Sequence, residues 1–331
     1  MDHRDEAGDE AVVSNRYARQ TVLGEIGPEG QARLAAASVL VVGAGGLGCP
    51  VLQYLVGAGV GRVVIVDHDT VEVTNLHRQP LYRMSDIGRL KVEAARDALQ
   101  GFNPEVYIEA RAERLTPQNT AALVATADLV VDAADSFAVT YMLSDACFAA
   151  AKPLVSASVI GLTGYAGAFC GGGPSYRAVF PDVSIDGGTC DTVGVLGSAV
   201  ALMGSLQAHL ALHLLLGFEP SVLGRVVTFD AKRLAFGGFG FDGSQEPEAV
   251  VPFIAPEAVR ADDIVVDLRG LDEAPVSPFA GARRLMVDTI ERLEEPKGRV
   301  VLACRSGQRS LMAADKLRAR GITNLALVAL G

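Results

Sequence analysis

Cysteine is scarce in this chain of 331 residues, where it occurs five times, an odd number at wide spacings. A framework of disulfide bonds needs an even set of paired cysteines, so we expect free thiols. The opening stretch MDHRDEAGDE also lacks the basic start and apolar segment of a signal peptide. We therefore expect residues 1–14 to be a disordered acidic tail and the protein to be cytoplasmic.

Positive charge is also in short supply. The chain has 29 lysine and arginine residues against 39 aspartate and glutamate residues, a formal net charge of -10. An acidic protein does not attract nucleic acid or an anionic membrane over a broad surface, so we expect neither as a partner. We also expect no membrane-spanning segment. Any phosphate chemistry must therefore depend on a local basic cluster.

Apolar periodicity predicts an α/β fold. The hydrophobic fraction is 50% and the charged fraction 21%, a balance typical of buried parallel strands. Strands alternate with helices, which implies a doubly wound, mostly parallel, Rossmann-like sheet. The predicted strands are 39–42, 62–66, 106–110 and 129–131, and the predicted helices are 50–58, 90–100, 117–125 and 195–216, the last closed by Gly217.

Two stretches read as irregular structure. CGGGPSYRAVFPDVSIDGGTCDT, residues 170–192, is rich in glycine and proline and predicts a long mobile loop. GGFGFDGSQEPEAVVPFIAPEAV, residues 237–259, reads as an interdomain linker. We predict a first domain over 15–245, a linker at 246–258 and a small second domain over 259–331. The second domain has predicted strands at 264–268, 299–303 and 326–330 and a helix at 310–320.

A glycine-rich turn follows the first predicted strand. Gly43, Gly45 and Gly48 fit G-x-G-x-x-G, with Gly46 inside the motif. Such a turn lets the backbone approach a phosphate at a helix N-terminus. Asp67 ends the next strand, at the spacing where a carboxylate holds a ribose hydroxyl. The pattern predicts a bound nucleotide and is compatible with NAD as well as with ATP.

Cationic and amide side chains beyond Asp67 favour a triphosphate. Asn75, Arg78, Gln79 and Lys91 follow in loop and helix-start positions. A pyrophosphate bridged by backbone amides does not need so many cations nearby, whereas a triphosphate does. Asp135, just beyond the strand LVVDAAD, lies where a ligand crevice is expected and could hold magnesium together with phosphate oxygens.

Six ordered motifs resemble the ThiF/MoeB/HesA family, bacterial relatives of the ubiquitin-activating enzymes. They are RYARQ, VLVVGAGGLG, VDHDTVEVTNLHRQ, DIGRLKVEAA, LVVDAADS and GVLGSAVALMGSLQA, and they cover roughly residues 16–230. The resemblance implies ATP-dependent adenylation of the C-terminal glycine of a ubiquitin-like sulfur carrier protein that ends in Gly-Gly.

The same resemblance implies a role for each matching residue. Asp67 would bind the ribose, Gly43 to Gly48 the adenosine side, and Asn75, Arg78 and Lys91 the phosphates, with Gln79 in the same motif. Asp135 would hold magnesium. Arg16 resembles an arginine that reaches across a dimer interface to the partner's γ-phosphate, so a homodimer is implied.

The sequence departs from this family at its zinc site. Most members carry two C-x-x-C pairs, the first in a CYRC-like string. Here the string is SYRA, with Ser175 and Ala178 at the ligand positions, and no cysteine occurs between Cys190 and Cys304. Because a structural zinc needs four soft or imidazole ligands, we predict no zinc.

Two cysteines are candidate nucleophiles. Cys190 ends the long loop before an apolar helix and matches the family cysteine that can attack the acyl adenylate. Cys304 lies between a strand and a helix, where loop amides, Arg305 and Arg309 would favour a thiolate or a persulfide. CRSGQRS resembles the rhodanese active-site loop and IVVDLRG its first strand, as in MoeZ-type fusions. We expect Cys49, Cys147 and Cys170 to be inert.

The second domain is a weaker match than the first. The motif before its second strand has changed to PFAGARRL, and the sequence given ends before the closing helix of most rhodaneses. The predicted activity is therefore adenylation, followed by sulfur transfer from a Cys304 persulfide to form a thiocarboxylate, with a cysteine desulfurase as a sulfur donor. The alternatives are an NAD-dependent oxidoreductase and a non-catalytic scaffold that binds the carrier.

Overall fold

One large sheet organises the first part of the chain. The computed structural model describes residues 16–181 and 194–331. The sheet has eight strands in the order β3-β2-β1-β4-β5-β6-β7-β8. The strands are β1 (Ser38–Val42), β2 (Arg62–Val66), β3 (Tyr107–Arg111), β4 (Leu129–Asp132), β5 (Pro153–Ile160), β6 (Thr163–Cys170), β7 (Arg225–Asp230) and β8 (Ala235–Gly240).

Helices cover both faces of this sheet, as the alternation of strands and helices predicts. They are α1 (Ala18–Thr21), α2 (Gly27–Ala36), α3 (Gly48–Gly57), α4 (Lys91–Phe102), α5 (Thr120–Ala125), α6 (Phe137–Ala149), α7 (Tyr176–Val179) and α8 (Gly197–Leu216). Side chains of β1 point alternately to the two faces. Val39 and Val41 pack with α2, α3, α4 and α8, whereas Leu40 and Val42 pack with α5 and α6.

The parallel part of the sheet creates a crevice at its carboxyl edge. β1 pairs in parallel with β2 on one side and with β4 on the other. Val42 at the end of β1 is in register with Asp132 at the end of β4. The connections that follow β1 and β4 therefore run in opposite directions along the sheet. Open α/β sheets bind ligands at such a switch point.

An antiparallel extension of the sheet corrects the sequence reading. β5 to β8 pair antiparallel in consecutive order. The glycine-rich stretch interpreted as the start of a linker forms β8, an edge strand whose six residues are all exposed. The sequence AFGGFG has no regular alternation of apolar and polar residues, so it does not indicate a strand. An exposed edge strand needs no apolar face, because backbone hydrogen bonds to β7 hold it in the sheet.

The predicted long loop is only partly irregular. α7 forms within it, with Ser175 as N-cap accepting a hydrogen bond from the Ala178 amide at 3.2 Å. The remainder of the loop includes Cys190, which lies outside the described residues, so that prediction is not tested here.

A second, four-stranded sheet forms the C-terminal unit. All its strands are parallel, in the order β10-β9-β11-β12. They are β9 (Ile264–Asp267), β10 (Arg283–Arg284), β11 (Val300–Cys304) and β12 (Leu325–Ala329), with helix α9 (Gln308–Ala319) between the last two. The predicted strands and helix lie within one or two residues of these bounds, and β10 forms within the PFAGARRL stretch.

The C-terminal unit packs against the first sheet through a shared apolar core. One buried cluster includes Leu40 and Val42 of β1, Tyr141 of α6, and Leu302 and Cys304 of β11. Phe253, before β9, forms a parallel bridge with Leu327 of β12 and belongs to the same cluster. The connection read as a linker is therefore packed structure at this point.

Helix α8 meets the length and composition requirements of a membrane span, contrary to the sequence expectation. Its 20 residues contain no Asp, Glu, Lys or Arg. Half of its apolar window is buried inside the protein, where it packs against α3, β5 and β6. The uniform apolar character thus belongs to a helix that has neighbours on several sides.

Candidate active site

The glycine turn is shaped by close backbone contacts. Gly43 has φ +98°, and a Cβ there would lie 2.6 Å from the Ala133 carbonyl oxygen after β4. A Cβ on Gly48 would lie 2.1 Å from the Gly43 carbonyl oxygen. Both positions therefore require glycine, one for conformation and contact and the other so that α3 can begin directly on the turn.

The middle of the turn is open toward the crevice. A Cβ on Gly45 would meet only the Gln79 side chain, at 3.7 Å, whereas one on Gly46 would collide with Val200. Gln79 is 3% exposed, and its Oε1 atom has no hydrogen-bond partner among the described residues. A buried polar atom without a partner is costly, so a ligand donor in the crevice would relieve it.

Asp67 joins the end of β2 to the glycine turn. Its Oδ2 accepts a hydrogen bond from the Ala44 amide at 2.8 Å, and its Oδ1 accepts one from the Asp69 amide at 2.8 Å. Tyr82 donates to the Ala44 carbonyl at 2.6 Å from the other side. These bonds hold the carboxylate at the mouth of the turn, the position from which such a group binds ribose.

Lys91 is a buried cation at the start of α4. It is 7% exposed, and its Nζ donates to Asp69 Oδ2 at 2.9 Å. Burial of Asp69 would raise its pKa, but the hydrogen bond and charge of Lys91 outweigh this, with smaller contributions from His68 and Arg114. The pKa of Asp69 is therefore lowered. The hydrogen bond to Asp69 thus holds the Lys91 Nζ atom at a fixed point in the crevice.

Asn75 and Arg78 are placed by a short 3₁₀ turn, Val73–Asn75. The Asn75 Oδ1 accepts from the Glu72 amide at 3.1 Å and leaves its amide group for other partners. Arg78 donates to the Thr74 carbonyl at 3.0 Å and lies 2.9 Å from the His77 Nε2. Because no carboxylate neutralises Arg78 in these contacts, its charge is available to an anion.

Two carboxylates follow β4, and they differ in environment. Asp135 is exposed and lies in the crevice. Asp132 is 1% exposed and accepts hydrogen bonds from Thr140 at 2.7 Å and Ser156 at 2.8 Å. Burial raises the pKa of Asp132 to about 6 despite these bonds. Asp132 therefore supports the end of β4, and Asp135 is the carboxylate open to a ligand.

These groups line one cavity of about 560 Å³. Every predicted nucleotide-site residue lines this cavity except Gly48 and Arg16. Gly48 lies beneath the glycine turn. The predicted residues along its wall are Gly43, Gly45, Gly46, Asp67, Asn75, Arg78, Gln79, Lys91 and Asp135. A volume of this size fits a small-molecule ligand.

Arg16 lies away from this cavity. Its Nη1 donates to the Phe102 carbonyl at 3.1 Å, and its Nε is 3.6 Å from a Glu105 oxygen. The structure therefore does not bring Arg16 to the nucleotide crevice of its own chain.

Cys304 is buried rather than open at a loop surface. It is 0% exposed, and its Sγ accepts from the Gly307 amide at 3.2 Å and lies 2.9 Å from the Ser310 hydroxyl. Of the two arginines expected to serve this sulfur, Arg309 is close enough that Cys304 contributes, after Glu273, to raising the Arg309 pKa. Arg309 is paired with Glu273 through two contacts of 2.6 Å, and Arg305 lines the nucleotide cavity.

The three cysteines predicted to be inert, Cys49, Cys147 and Cys170, are buried. Burial raises the pKa of Cys49 and of Cys170 to about 12 and raises that of Cys147 well above its usual value. A thiol with so high a pKa is almost wholly protonated near neutral pH, so it is a poor nucleophile.

The sequence reasoning did not single out several charged lining residues, among them His68, Glu113, Arg114 and Arg305. His68 and Arg114 meet at 2.9 Å across the end of β2. His68 directly follows the ribose carboxylate and could have been considered from its position. Glu113 and Arg114 follow β3, and Arg305 follows β11, so their approach depends on packing that no local pattern reveals.

A magnesium ion has carboxylate ligands available in this cavity. Asp135 is exposed to it, and Asp67, His68 and Asp69 also place ligand atoms within 4.8 Å of one another. Oxygen donors of this kind suit magnesium when phosphate oxygens and water complete the coordination. In the SYRA string, Ser175 and Ala178 stand where the family pattern has its first cysteine pair, and Ser175 hydrogen-bonds Glu246.

The fold and the cavity define a nucleotide-binding α/β protein with fixed cations beyond its glycine turn. The model of the ThiF family matches residues 17–246. This match covers more than half of the chain, and the chain belongs to the ThiF family. Residues after 246, including Cys304, lie outside the match.

Curated relatives agree with this family. The chain is 46% identical over 230 residues to the sulfur carrier protein adenylyltransferase of Thermus thermophilus, across 67% of this chain and 85% of that protein. It is 41% identical to the SAMP-activating enzyme E1 of Haloferax volcanii, across 69% and 85%. It is 47% identical to the adenylyltransferase and sulfurtransferase MOCS3 of Bos taurus, across 66% and 49%. The chain thus spans about half the length of that MOCS3 relative.

Solved structures share the fold at lower identity. A crystal structure of PaaA has a TM-score of 0.60 and 21% identity, over 73% of this chain and 76% of that chain. A crystal structure of Escherichia coli MccB with ATP has a TM-score of 0.59 and 22% identity, over 71% and 72%. At these identities the likeness concerns the fold alone.

Proposed function

We propose that this protein is an ATP-dependent adenylyltransferase that activates the C-terminal glycine of a ubiquitin-like sulfur carrier protein. The observation that carries the proposal is the single cavity that joins the glycine turn and Asp67 to two cations, Arg78 and Lys91, and to Asp135. A dinucleotide needs only the first part of this set, whereas a triphosphate uses all of it. The names of the relatives from Thermus thermophilus and Haloferax volcanii support the same reaction.

Charge neutralisation and positioning supply most of the catalysis in this proposal. A carboxylate oxygen of the carrier's last glycine attacks the α-phosphorus, a phosphorus–oxygen bond forms, and the bond to the leaving pyrophosphate breaks. The attacking carboxylate carries no proton, so no side-chain base is needed. Arg78 and Lys91 stabilise the phosphate oxygens, Asn75 and Gln79 offer amide groups, and Asp67 holds the ribose. Magnesium held by Asp135 would neutralise phosphate charge and orient the leaving group.

We also propose that the C-terminal unit transfers sulfur. The support is the position of Cys304 between β11 and α9, with the Gly307 amide on its sulfur, together with the relatives named adenylyltransferase and sulfurtransferase. A sulfur donor such as a cysteine desulfurase would convert the Cys304 thiol to a persulfide. The terminal sulfur then attacks the acyl carbon, AMP leaves, and an acyl disulfide forms.

A second thiol completes that transfer. Its attack on the Cys304 sulfur of the acyl disulfide releases the carrier thiocarboxylate and leaves a disulfide on the enzyme. Cys190 is our candidate for this thiol, from its match to the family cysteine. Because Cys304 is buried in the present arrangement, the loop around it must move before either step.

A homodimer is part of the proposal. Arg16 lies outside the nucleotide cavity of its own chain, held by the Phe102 carbonyl. The family resemblance implies that an arginine in this motif binds the γ-phosphate in the partner subunit. The position of Arg16 outside its own cavity agrees with that role. Sedimentation of the purified protein tests the dimer. An R16A variant that remains dimeric but loses exchange activity would support the role in trans.

Carrier-dependent exchange between ATP and pyrophosphate tests the adenylation step. The purified chain is incubated with ATP, magnesium, radiolabelled pyrophosphate and a Gly-Gly-ending carrier, and label is expected in ATP. A carrier lacking its last glycine is the matched control and should give none. A D135A variant should lose most of the exchange. Label that is independent of the carrier, or binding of NADH but not ATP, would contradict the proposal.

A further inference from the structure

The loop after β11 contacts the nucleotide site directly. The Ser306 carbonyl accepts a hydrogen bond from the Ala138 amide at 3.0 Å and one from the Ser136 hydroxyl at 3.3 Å. Ser136 directly follows Asp135. The first turn of α6, which borders the cavity, is therefore hydrogen-bonded to the C-terminal unit.

Close packing at Gly307 fixes this contact. Gly307 has φ +91°, and a Cβ there would lie 2.9 Å from the Phe253 ring and 3.0 Å from the Ala138 amide nitrogen. Both neighbours are almost fully buried. The loop and α6 thus pack so closely that only glycine fits between them. Such close packing indicates a specific interface between the two elements.

The contact brings Arg305 and Ser306 into the cavity wall. The other cations there already have contacts: Lys91 with Asp69, Arg114 with His68 and Arg78 with the Thr74 carbonyl. The Arg305 guanidinium has no hydrogen bond or ion pair with any residue of 16–181 or 194–331. Arg309, four residues on, is neutralised by Glu273. Arg305, like Arg78, is therefore a cation of the cavity wall without a carboxylate partner among the described residues.

We propose that Arg305 is a substrate-binding residue of the adenylation site, where its guanidinium binds the β- and γ-phosphates of ATP. The docked C-terminal unit then completes the site that the ThiF family region begins. This inference rests on the proposed adenylyltransferase function. A guanidinium suits phosphate oxygens because it can donate two parallel hydrogen bonds.

The same arrangement links ATP binding to the reactivity of Cys304. Cys304 is fully buried while Arg305 faces the cavity, and the two residues are adjacent in the chain. If ATP binds the docked arrangement more tightly, it must shift the population toward that arrangement. ATP would then keep Cys304 buried until pyrophosphate has left. Sulfur transfer would therefore occur only after adenylation.

Calorimetric titration of the full-length chain tests the binding role. ATP with magnesium is the probe, and no carrier is added. R305Q should weaken ATP binding roughly tenfold, the loss of one charge-assisted contact at a partly exposed site. R305K should recover most of it, and R318Q, at an exposed position of α9, is the matched control. AMP affinity should not change in R305Q, because AMP lacks the distal phosphates. Unchanged ATP affinity, or an equal loss for AMP, would overturn the proposal.

Alkylation of Cys304 by iodoacetamide, followed by peptide mass spectrometry, tests the linkage. ATP with magnesium should slow labelling at least severalfold in the wild type and not in R305Q. Equal rates with and without ATP in the wild type would overturn the linkage. Exchange activity is measured in parallel. A wild type that binds ATP through Arg305 but lacks carrier-dependent exchange would refute the proposed function alone, whereas full exchange with unaltered R305Q binding would refute only this inference.

Discussion

Among the cations that line the nucleotide cavity, Lys91 is the most deeply buried. It is 7% exposed and has one carboxylate partner, Asp69, whose own pKa it holds down. A buried cation on a helix start cannot reorient easily, so it can stabilise charge that develops on phosphates without first being positioned.

Replacement of Lys91 should therefore affect catalysis far more than folding. K91M keeps the length of the side chain and removes its charge, and it leaves Asp69 as an uncompensated anion beside the phosphates. We expect kcat/KM for ATP in the exchange reaction to fall about 100-fold or more. K297M, at an exposed position of the C-terminal unit, is the control. Exchange kinetics within about twofold of the wild type would contradict this role for Lys91.

Asp132 predicts a pH dependence of stability. Its pKa in the folded protein is about 6, above the value of about 4 for an aspartate in an unfolded chain. Between these values the folded state binds the proton more tightly, so the free energy of unfolding decreases as pH rises through that window.

D132N removes this titration while it keeps the shape of the side chain. Urea unfolding at a series of pH values should show that the wild type loses stability relative to D132N from about pH 4 to about pH 7. The difference should be constant above that range, where Asp132 is ionised in both states. Parallel stability curves across the whole range would contradict a raised Asp132 pKa.

Among elements, the parallel half of the fold follows from sequence and the antiparallel half does not. β1, β2 and β4 are almost continuous apolar runs because both faces of each strand are buried, so they stand out in the sequence. β8 is exposed at an edge and has the sequence AFGGFG, which carries no periodic signal. Helix α6 is apolar almost all round, and no amphipathic pattern marks it.

The candidate site divides in the same way. Residues that follow β1, β2 and β4 could be predicted to meet, because parallel strands end at one edge. Lys91 and Gln79 were predictable from their motif resemblance, although not their burial. Arg305 was not predictable as part of this site, because it arrives from a second sheet about 170 residues beyond Asp135 in the chain, through tertiary packing.

The SYRA string forms a junction between α7 and Glu246. The Glu246 carboxylate accepts from the Ser175 amide at 2.7 Å and from the Ser175 hydroxyl at 2.6 Å. Ser175 is 3% exposed and also caps α7. Aromatic rings pack beside it, with Tyr176 and Phe169 at 5.2 Å between centroids.

E246A should consequently destabilise the protein without any involvement of zinc. We expect a loss of about 1 kcal/mol, because the carboxylate is partly solvated and its bonds are screened. E248A, two residues further on, is the control. Thermal unfolding measures both variants, with and without a chelator. A lower melting temperature of the wild type in the chelator would contradict our prediction that no zinc is held here.

For the whole molecule, the shared core decides how the protein unfolds. One buried cluster runs from β1 through α6 to β11 and α9, so neither sheet can open without exposing apolar surface of the other. Phe253 lies at the junction, 8% exposed, paired with β12 and in contact range of Gly307. We therefore expect the two sheets to unfold in one cooperative transition.

F253A tests this cooperativity. Truncation of a buried phenylalanine should lower stability by about 3 kcal/mol and should separate the transition into two, because the contact that couples the sheets is lost. V250A, at an exposed position three residues earlier, should leave a single transition. Differential scanning calorimetry measures both, with the ratio of van't Hoff to calorimetric enthalpy as the criterion. Two transitions in the wild type would mean that the sheets are independent, and Arg305 would then face the nucleotide cavity only transiently.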